Sequence, residues 1–260
     1  MKMTLTGRTG HPLLPELSKY RFAHRGFHDK PRVPENSLPA FRAALERGWG
    51  AELDVHLLKD GTLCVFHDSE LFRCTGTHGT IEELDRAGLE KLRLEGTEEK
   101  VPLFDEVLAL FERKAPLIIE LKPHGGNHRE LVRAVCERLD CYSGLFCIES
   151  FDPRALTALK KLRPGICRGQ LSQNFELKTE GLPAPLRRPL ARLWLNPLTR
   201  PDFIAYRLED RQLPALRRCI DRRHLREFSW TVRSRRDLTE LERQGCIPIF
   251  ECFDPDKAEE

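Results

Sequence analysis

The absences in this sequence exclude several classes at once. No apolar run approaches ~18 residues, so a membrane-spanning helix and stable membrane insertion are not expected. The opening residues, Met1-Lys2-Met3-Thr4-Leu5-Thr6-Gly7-Arg8, carry no apolar core behind their basic residues and do not read as a secretory signal. Repeats, single-residue tracts and low-complexity linkers are missing, which argues against coiled coil, collagen and disorder and favours one domain over residues 1–260. The nine cysteines are odd in number, scattered and without a Cys-x-x-Cys pair. They suit small core residues in a reducing compartment, so a cytoplasmic location is expected and a zinc cage is not. A formal net charge of only +3 offers no support for a nucleic-acid partner. Gly-x-Gly-x-x-Gly, the P-loop, Gly-x-Ser-x-Gly and His-Glu-x-x-His are all lacking.

What is present is an alternation of short apolar runs with helical periodicity. Strands are expected at Ala51–Leu57, Thr62–His67, Pro116–Leu121, Leu145–Ser150, Phe228–Val232 and Ile247–Glu251. Weaker strand signals lie at Ile166–Leu171 and Leu193–Leu195. Helices are expected at Leu38–Arg47, Phe104–Arg113, Arg129–Leu139, Pro153–Leu162, Leu213–Arg223 and Asp237–Gln244. Asn36 or Ser37 caps the first, Pro39 sits in its first turn and Gly48 follows its end. Strand–helix alternation implies a parallel sheet, and 260 residues suit closure into a (β/α)8 TIM barrel of the α/β class. Residues 1–19 read as a short lead-in. The polar stretch from about 68 to 101 reads as an insertion after the second strand region, with short helices around Ile81–Ala87 and Leu89–Leu94. Gln170–Pro201, rich in proline, is a second irregular region.

Charges interrupt the apolar runs in a recurring way. Glu52 and Asp54 lie two apart and share one strand face, while Leu53 and Val55 face the other. Glu120 and Lys122 repeat the arrangement, and His67, His24 and Arg25 follow apolar runs directly. In a parallel barrel such strand ends converge on one mouth. Glu52, Asp54 and Glu120 would supply hard carboxylate oxygens for Mg2+ or Ca2+, and without a cation their mutual repulsion would raise at least one pKa. Arg25 and Lys122 would supply fixed positive charge, with Arg25 able to bind phosphate oxygens in bidentate fashion, and His24 and His67 can exchange protons near neutral pH. This set suits phosphoryl chemistry better than acyl or hydride transfer. His28, His56, His78 and His124 could lie near the mouth, but surface placement is expected for each. In the second irregular region Arg187, Arg188 and Arg192 mix with Leu186, Leu190, Leu193 and Trp194, a pattern of packed loop residues or of a lipid-touching flap.

The ordered motifs His24-Arg25-Gly26, Pro34-Glu35-Asn36-Ser37, Glu52-Leu53-Asp54-Val55, Asp60-Gly61, His67-Asp68 and Glu120-Leu121-Lys122 closely resemble those of glycerophosphodiester phosphodiesterases. Ser150-Phe151-Asp152 and Ser229-Trp230-Thr231-Val232 continue the resemblance more loosely, so it runs from about Tyr20 to the C-terminus. It implies a (β/α)8 barrel with a small insertion and a place in lipid and glycerol metabolism. It also implies cation-dependent hydrolysis of a small glycerophosphodiester to sn-glycerol 3-phosphate and an alcohol. On this resemblance Glu52, Asp54 and Glu120 bind metal, His24 and His67 form the acid–base pair, and Arg25 and Lys122 hold the phosphate. Glu35 would orient Arg25 or a substrate hydroxyl, and Trp230 would wall the glycerol pocket. Two departures touch substrate contacts: Arg233 stands where the family often has Asn, and Glu251-Cys252 where it commonly has Thr-Asp. A lysophospholipase D or cyclising lyase on the same barrel, and a non-catalytic polyol-phosphate binder, are the alternatives. Oligomeric state is not readable from the sequence.

Overall fold

A computed structural model describes residues 2–4, 7–177 and 182–257. The chain groups into two compact units, one formed by Tyr20–Phe146 and the other by Met1–Lys19 with Cys147–Glu260. The N-terminal residues are more than a lead-in. Strands β1 (Lys2–Thr4) and β2 (Gly7–Thr9) pair antiparallel, and helix α1 (Leu13–Leu17) follows. The segment is anchored because Arg8 is buried against the Asp202 carboxylate and donates to the carbonyls of Pro164 and Ile166. A buried cation with those acceptors cannot be left in solvent-like disorder without losing every one of them.

From Tyr20 the order is β3 (Phe22–Ala23), α2 (Leu38–Leu45), β4 (Gly50–Leu57), β5 (Leu63–Val65), α3 (Phe72–Thr75), a 3-10 turn at Ile81–Glu83, α4 (Arg86–Leu89), α5 (Phe104–Phe111), β6 (Leu117–Leu121) and α6 (His128–Leu139). β3 and β6 pair with β4 in parallel, with Phe22 opposite Gly50 and Asp54 opposite Glu120. Ser37 caps α2 by accepting from the Ala40 N–H, and Phe41, Ala40 and Ala44 bury its inner face. Asn36, the other candidate cap, instead takes φ 52° and turns its side chain elsewhere.

β5 runs antiparallel to β4, pairing Val55 with Val65 and Leu57 with Leu63. The expected strand at Thr62–His67 is therefore no parallel barrel strand but the return arm of a hairpin that extends β4 by two residues. The insertion packs its own core of Leu58, Phe66, Leu71, Cys74, Ile81, Leu89 and Leu94. Its helices fall at α3, Ile81–Glu83 and α4, which ends at Leu89, so that residues 90–94 are turn and irregular chain rather than helix.

The second unit carries β7 (Phe146–Ser150), α7 (Pro153–Leu162), β8 (Arg168–Ser172), α8 (Ala184–Ala191), α9 (Asn196–Thr199), β9 (Phe203–Arg207), α10 (Pro214–Arg217) with a π turn to Arg222, β10 (Arg226–Val232), α11 (Arg235–Arg243) and β11 (Ile247–Phe250). β7 to β11 pair consecutively in parallel. Leu193–Leu195 is turn, not strand; the strand is Phe203–Arg207, whose apolar run Phe203-Ile204-Ala205-Tyr206 lies just past the prolines. Parallel strands separated by helices make this a (β/α)8 TIM barrel, with the antiparallel β5 and the insertion added after β4. All nine cysteines are free, and seven are buried, as small core residues are.

Candidate active site

The site is assembled on β4 and its neighbours. Alternation along β4 turns Glu52 and Asp54 to one face, and the parallel register sets Glu120 of β6 opposite Asp54. The carboxylate oxygens of Glu52, Asp54 and Glu120 lie within 4.8 Å of one another, and all three residues are buried. Lys122, just past β6, places Nζ 3.0 Å from Asp54 Oδ1 and 2.9 Å from Glu120 Oε1.

The loop after β3 delivers His24 and Arg25. His24 Nε2 stands 3.9 Å from Glu52 Oε2. Arg25 adopts φ 54°, so its backbone N–H donates to Glu52 Oε2 at 3.0 Å while its guanidinium donates to Glu35 Oε1 at 2.8 Å. Arg25 Nε lies 3.7 Å from Asp54 Oδ2. The turn closes on Gly26, at φ 78°, where a Cβ would sit 2.8 Å from the backbone of Ala40. Only glycine lets this loop lie so close on α2. Asn36 uses its left-handed conformation to donate from its amide to Asp54 Oδ2 at 2.8 Å.

His67 reaches the same residues by the return arm: the Phe66 N–H donates to the Asp54 carbonyl at 3.0 Å, which puts the next residue beside the carboxylates. His67 Nδ1 lies 2.5 Å from Asp68 Oδ1. Asp68 also accepts from the Arg73 guanidinium, whose NH2 donates to Glu35 Oε1 at 2.6 Å. Glu35 in turn accepts from Lys30. One carboxylate thus ties together Arg25, Lys30 and Arg73. Below this network, His56 is buried rather than at the surface, against expectation. Its Nδ1 lies 2.6 Å from Glu82 Oε1 and its Nε2 3.2 Å from the His67 carbonyl, two acceptors that water would otherwise have to serve. His124 is exposed and meets Ser69 at 3.1 Å; His78 is exposed and stacks on Phe72; His28 is half-buried.

Charge in this enclosure is unevenly shared. Burial works against ionisation of Asp54, but Lys122, His67 and Arg25 outweigh it and hold the carboxyl well below the usual range. Glu120 goes the other way: burial, with the Asp54 charge added, pushes it up to about 7 despite Lys122. Burial also lowers the His67 imidazole, more than Asp54 and Asp68 raise it. The Glu35 carboxyl is held far below its ordinary value because the cations around it overcome its burial.

A second convergence, His11, Cys167 and Asp202, has ligand atoms equally close but a different character. The Leu13 N–H donates to His11 Nδ1, His11 Nε2 bonds the Gly165 carbonyl, and Arg8 and the Arg168 N–H serve Asp202. His11 and one oxygen of Asp202 are thereby already engaged in tying the N-terminal segment to this unit.

Trp230 belongs to the other unit, in β10, where its ring packs edge-on against Phe151 at 5.5 Å. In that unit the two departures from the motif pattern find each other: Arg233 and Glu251 form an ion pair at 2.6 Å. Eight of the nine residues singled out from sequence therefore fall in one unit. Sequence reasoning missed Asn36, Arg73, His56 and Glu82 as site-supporting groups. Asn36 was legible in the Pro-Glu-Asn-Ser motif; the other three become visible only once the insertion folds onto β4.

The family model of the glycerophosphoryl diester phosphodiesterase family matches residues 24–251. A glycerophosphodiester phosphodiesterase of Caldanaerobacter subterraneus subsp. tengcongensis is 31% identical over 241 residues, 88% of this chain and 91% of that protein. A rat lysophospholipase D is 30% identical over 146 residues, 50% of this chain and 45% of that protein. Among solved structures, an Oleispira antarctica phosphodiesterase in complex with its product sn-glycerol-3-phosphate superposes with a TM-score of 0.74 at 24% identity, covering 94% of this chain and 95% of that one. On its motifs, its fold and these likenesses, the chain belongs to the glycerophosphoryl diester phosphodiesterase family and is a phosphoric diester hydrolase.

Proposed function

We propose that residues 1–260 act as one catalytic domain, with the insertion at about 68–101, hydrolysing small glycerophosphodiesters to sn-glycerol 3-phosphate and an alcohol in the cytoplasm. The family match running from 24 to 251 supports the single domain, since it spans both units. The observation that carries the mechanism is the buried set of Glu52, Asp54 and Glu120, flanked by Lys122, Arg25 and two imidazoles.

Three buried carboxylates whose oxygens converge, one with its pKa pushed up to about 7, are a donor set suited to a hard divalent cation. Bound there by Glu52, Asp54 and Glu120, Mg2+ or Ca2+ would supply Lewis-acid polarisation of a phosphoryl oxygen. Arg25 and Lys122 offset the charge of the phosphodiester, Arg25 with a planar fork held by Glu35. Of His24 and His67, one imidazole takes the proton of the attacking oxygen, water or the neighbouring glycerol hydroxyl. The other gives a proton to the departing alkoxide as the phosphorus–oxygen bond breaks. Asp68 fixes the His67 ring through Nδ1, and Arg73 fixes Asp68, so the geometry is set before substrate arrives. Trp230 is assigned to the glycerol moiety on the motif resemblance alone.

The test is a panel of glycerophosphodiesters assayed with Mg2+, Ca2+, Mn2+ and EDTA, with products read by phosphorus NMR. Cleavage to glycerol 3-phosphate that EDTA abolishes is expected; activity indifferent to chelator would remove the cation from the mechanism. A second reading, lysophospholipase D activity, is favoured by the likeness to the rat enzyme over half the chain. Faster turnover of lysophosphatidylcholine than of glycerophosphocholine would select it.

A further inference from the structure

The segment from Leu182 to Arg200 plays no part in the mechanism, yet its charge is all of one sign. It holds four arginines and no acidic residue. Its inner side is well anchored. The Tyr206 hydroxyl donates to the Ala191 carbonyl at 2.9 Å, the Ser172 hydroxyl donates to the Leu190 carbonyl at 3.0 Å, and Leu193 joins a buried cluster with Ile204, Tyr206 and Leu216.

With the inner face so occupied, the remaining apolar side chains have no core to enter. Leu193 takes φ 58° and is buried, and the next residue, Trp194, is turned outward and left 55% exposed. Leu198 on α9 is 57% exposed and Leu186 on α8 46%. Scattered exposed leucines are ordinary; a tryptophan and two leucines exposed on one short, irregular, anchored segment are a local concentration. Around them the charge is mostly positive. Arg188 lies over the Trp194 ring at 5.8 Å, and Arg192 and Arg200 are exposed. α9 packs against α7, whose Lys160 ammonium donates to the Leu198 carbonyl and whose Lys161 is exposed. Glu176, paired with Arg192, is the acidic partner there among the described residues.

We propose that α8, α9 and the C-terminal turn of α7 form a docking surface for the anionic face of a phospholipid bilayer. Trp194, Leu198 and Leu186 would enter the headgroup–acyl boundary, and the arginines and lysines would lie at the level of the lipid phosphates. An indole flanked by guanidinium groups fits that layer, because one end is apolar and its N–H remains in the polar zone. The excess of positive charge is what selects an anionic lipid surface over a second copy of this chain, whose own patch would repel it. Docking of this kind would bring the enzyme to where lipid-derived diesters are produced without anchoring it there.

The test is co-sedimentation of the full chain with vesicles of phosphatidylcholine alone and vesicles mixed with phosphatidylglycerol, with tryptophan emission read in parallel. Binding is expected only with phosphatidylglycerol present, with a blue shift that Trp194→Phe removes. Trp194→Ser with Leu198→Ser, and separately Arg188→Glu with Arg192→Glu, should each weaken binding by at least about tenfold, since each removes two interfacial groups. Hydrolysis of soluble glycerophosphocholine and the far-UV spectrum should stay unchanged, which separates this outcome from a failure of the catalytic reading. No binding to either vesicle, equal binding to both, or binding that survives the Ser pair would overturn the proposal. So would a concentration-dependent dimer that the Ser pair dissolves, since the patch would then be a self-interface.

Discussion

At the residue scale, the site is a balance of buried charges rather than a collection of reactive groups. His24→Ala and His67→Ala should each lower kcat by roughly 10²–10⁴-fold, the usual worth of a positioned acid or base, with thermal stability retained. Steady-state kinetics beside a melting curve decides this, and near-native turnover in either variant would remove that histidine from the mechanism. Glu35 makes a prediction about pH. Its folded-state pKa is depressed from the model-compound value of 4.5 by Arg73, Arg25 and Lys30. A depressed carboxyl adds stability that is present above pH 4.5 and is lost as pH falls toward the folded value. Glu35→Gln should therefore be less stable at pH 7, by roughly 2 kcal/mol, because three cations lose a shared acceptor. It should also lose less on acidification between about pH 4.5 and pH 2 than the parent does, as urea titrations at several pH values would show.

At the element scale, the informative piece is the hairpin and the insertion that follows it. From sequence, His67 stands at the end of an apolar run; the structure shows that run to be antiparallel to β4, yet it still brings His67 beside Asp54. The physical reason is register. A two-residue extension of β4 lets the return arm come back to the level of the carboxylates, so parity along the strand holds although the strand direction does not. The insertion then contributes Arg73 from α3, which joins Asp68 to Glu35 and so couples the orientation of His67 to that of Arg25. Arg73→Gln should lower kcat about tenfold or more with little change in KM, because it acts on geometry and touches no part of the substrate by itself. Arg73→Lys should recover less than half of the loss, since an ammonium cannot span both carboxylates as a planar fork does. An unchanged kcat in Arg73→Gln would make the bridge merely structural. Pattern reading reaches such elements unevenly. Pro153–Leu162 is recovered as expected because Asp152 caps it, Pro153 starts it and its apolar face repeats at helical spacing. Phe203–Arg207 escapes because prolines and glycine-free turns before it mask where the irregular stretch ends.

At the scale of the whole molecule, the buried carboxylates set their mutual repulsion against the stability of the fold. Glu52, Asp54 and Glu120 are held together at the cost of their mutual repulsion, which Lys122 only partly offsets. A divalent cation should therefore raise the melting temperature. Occupancy at about a hundred times Kd corresponds to roughly 2.7 kcal/mol. EDTA should reverse the shift, and Glu120→Gln should shrink it; scanning calorimetry with and without Mg2+ or Ca2+ measures both. No shift with any divalent cation would argue that the three carboxylates are a structural cluster.

The sequence by itself determined the class of fold and which charged residues stand at the ends of its strands. Strand parity sends Glu52 and Asp54 to one face, apolar runs bury the strands that carry them, and the spacing of short motifs identifies the family. These are local properties, written in periods of two and 3.6 residues. Only the tertiary structure decided which residues support those charged groups. His56 is drawn from its expected surface position into the interior, Asn36 gives up capping a helix to hold Asp54, and Arg73 crosses from the insertion to join two carboxylates. The bonds that fix them, His56 to Glu82, Asn36 to Asp54 and Arg73 to Glu35, join residues at least 18 positions apart. Such pairings are settled by which buried polar group would otherwise go without a partner, and that is known only when the whole chain has folded.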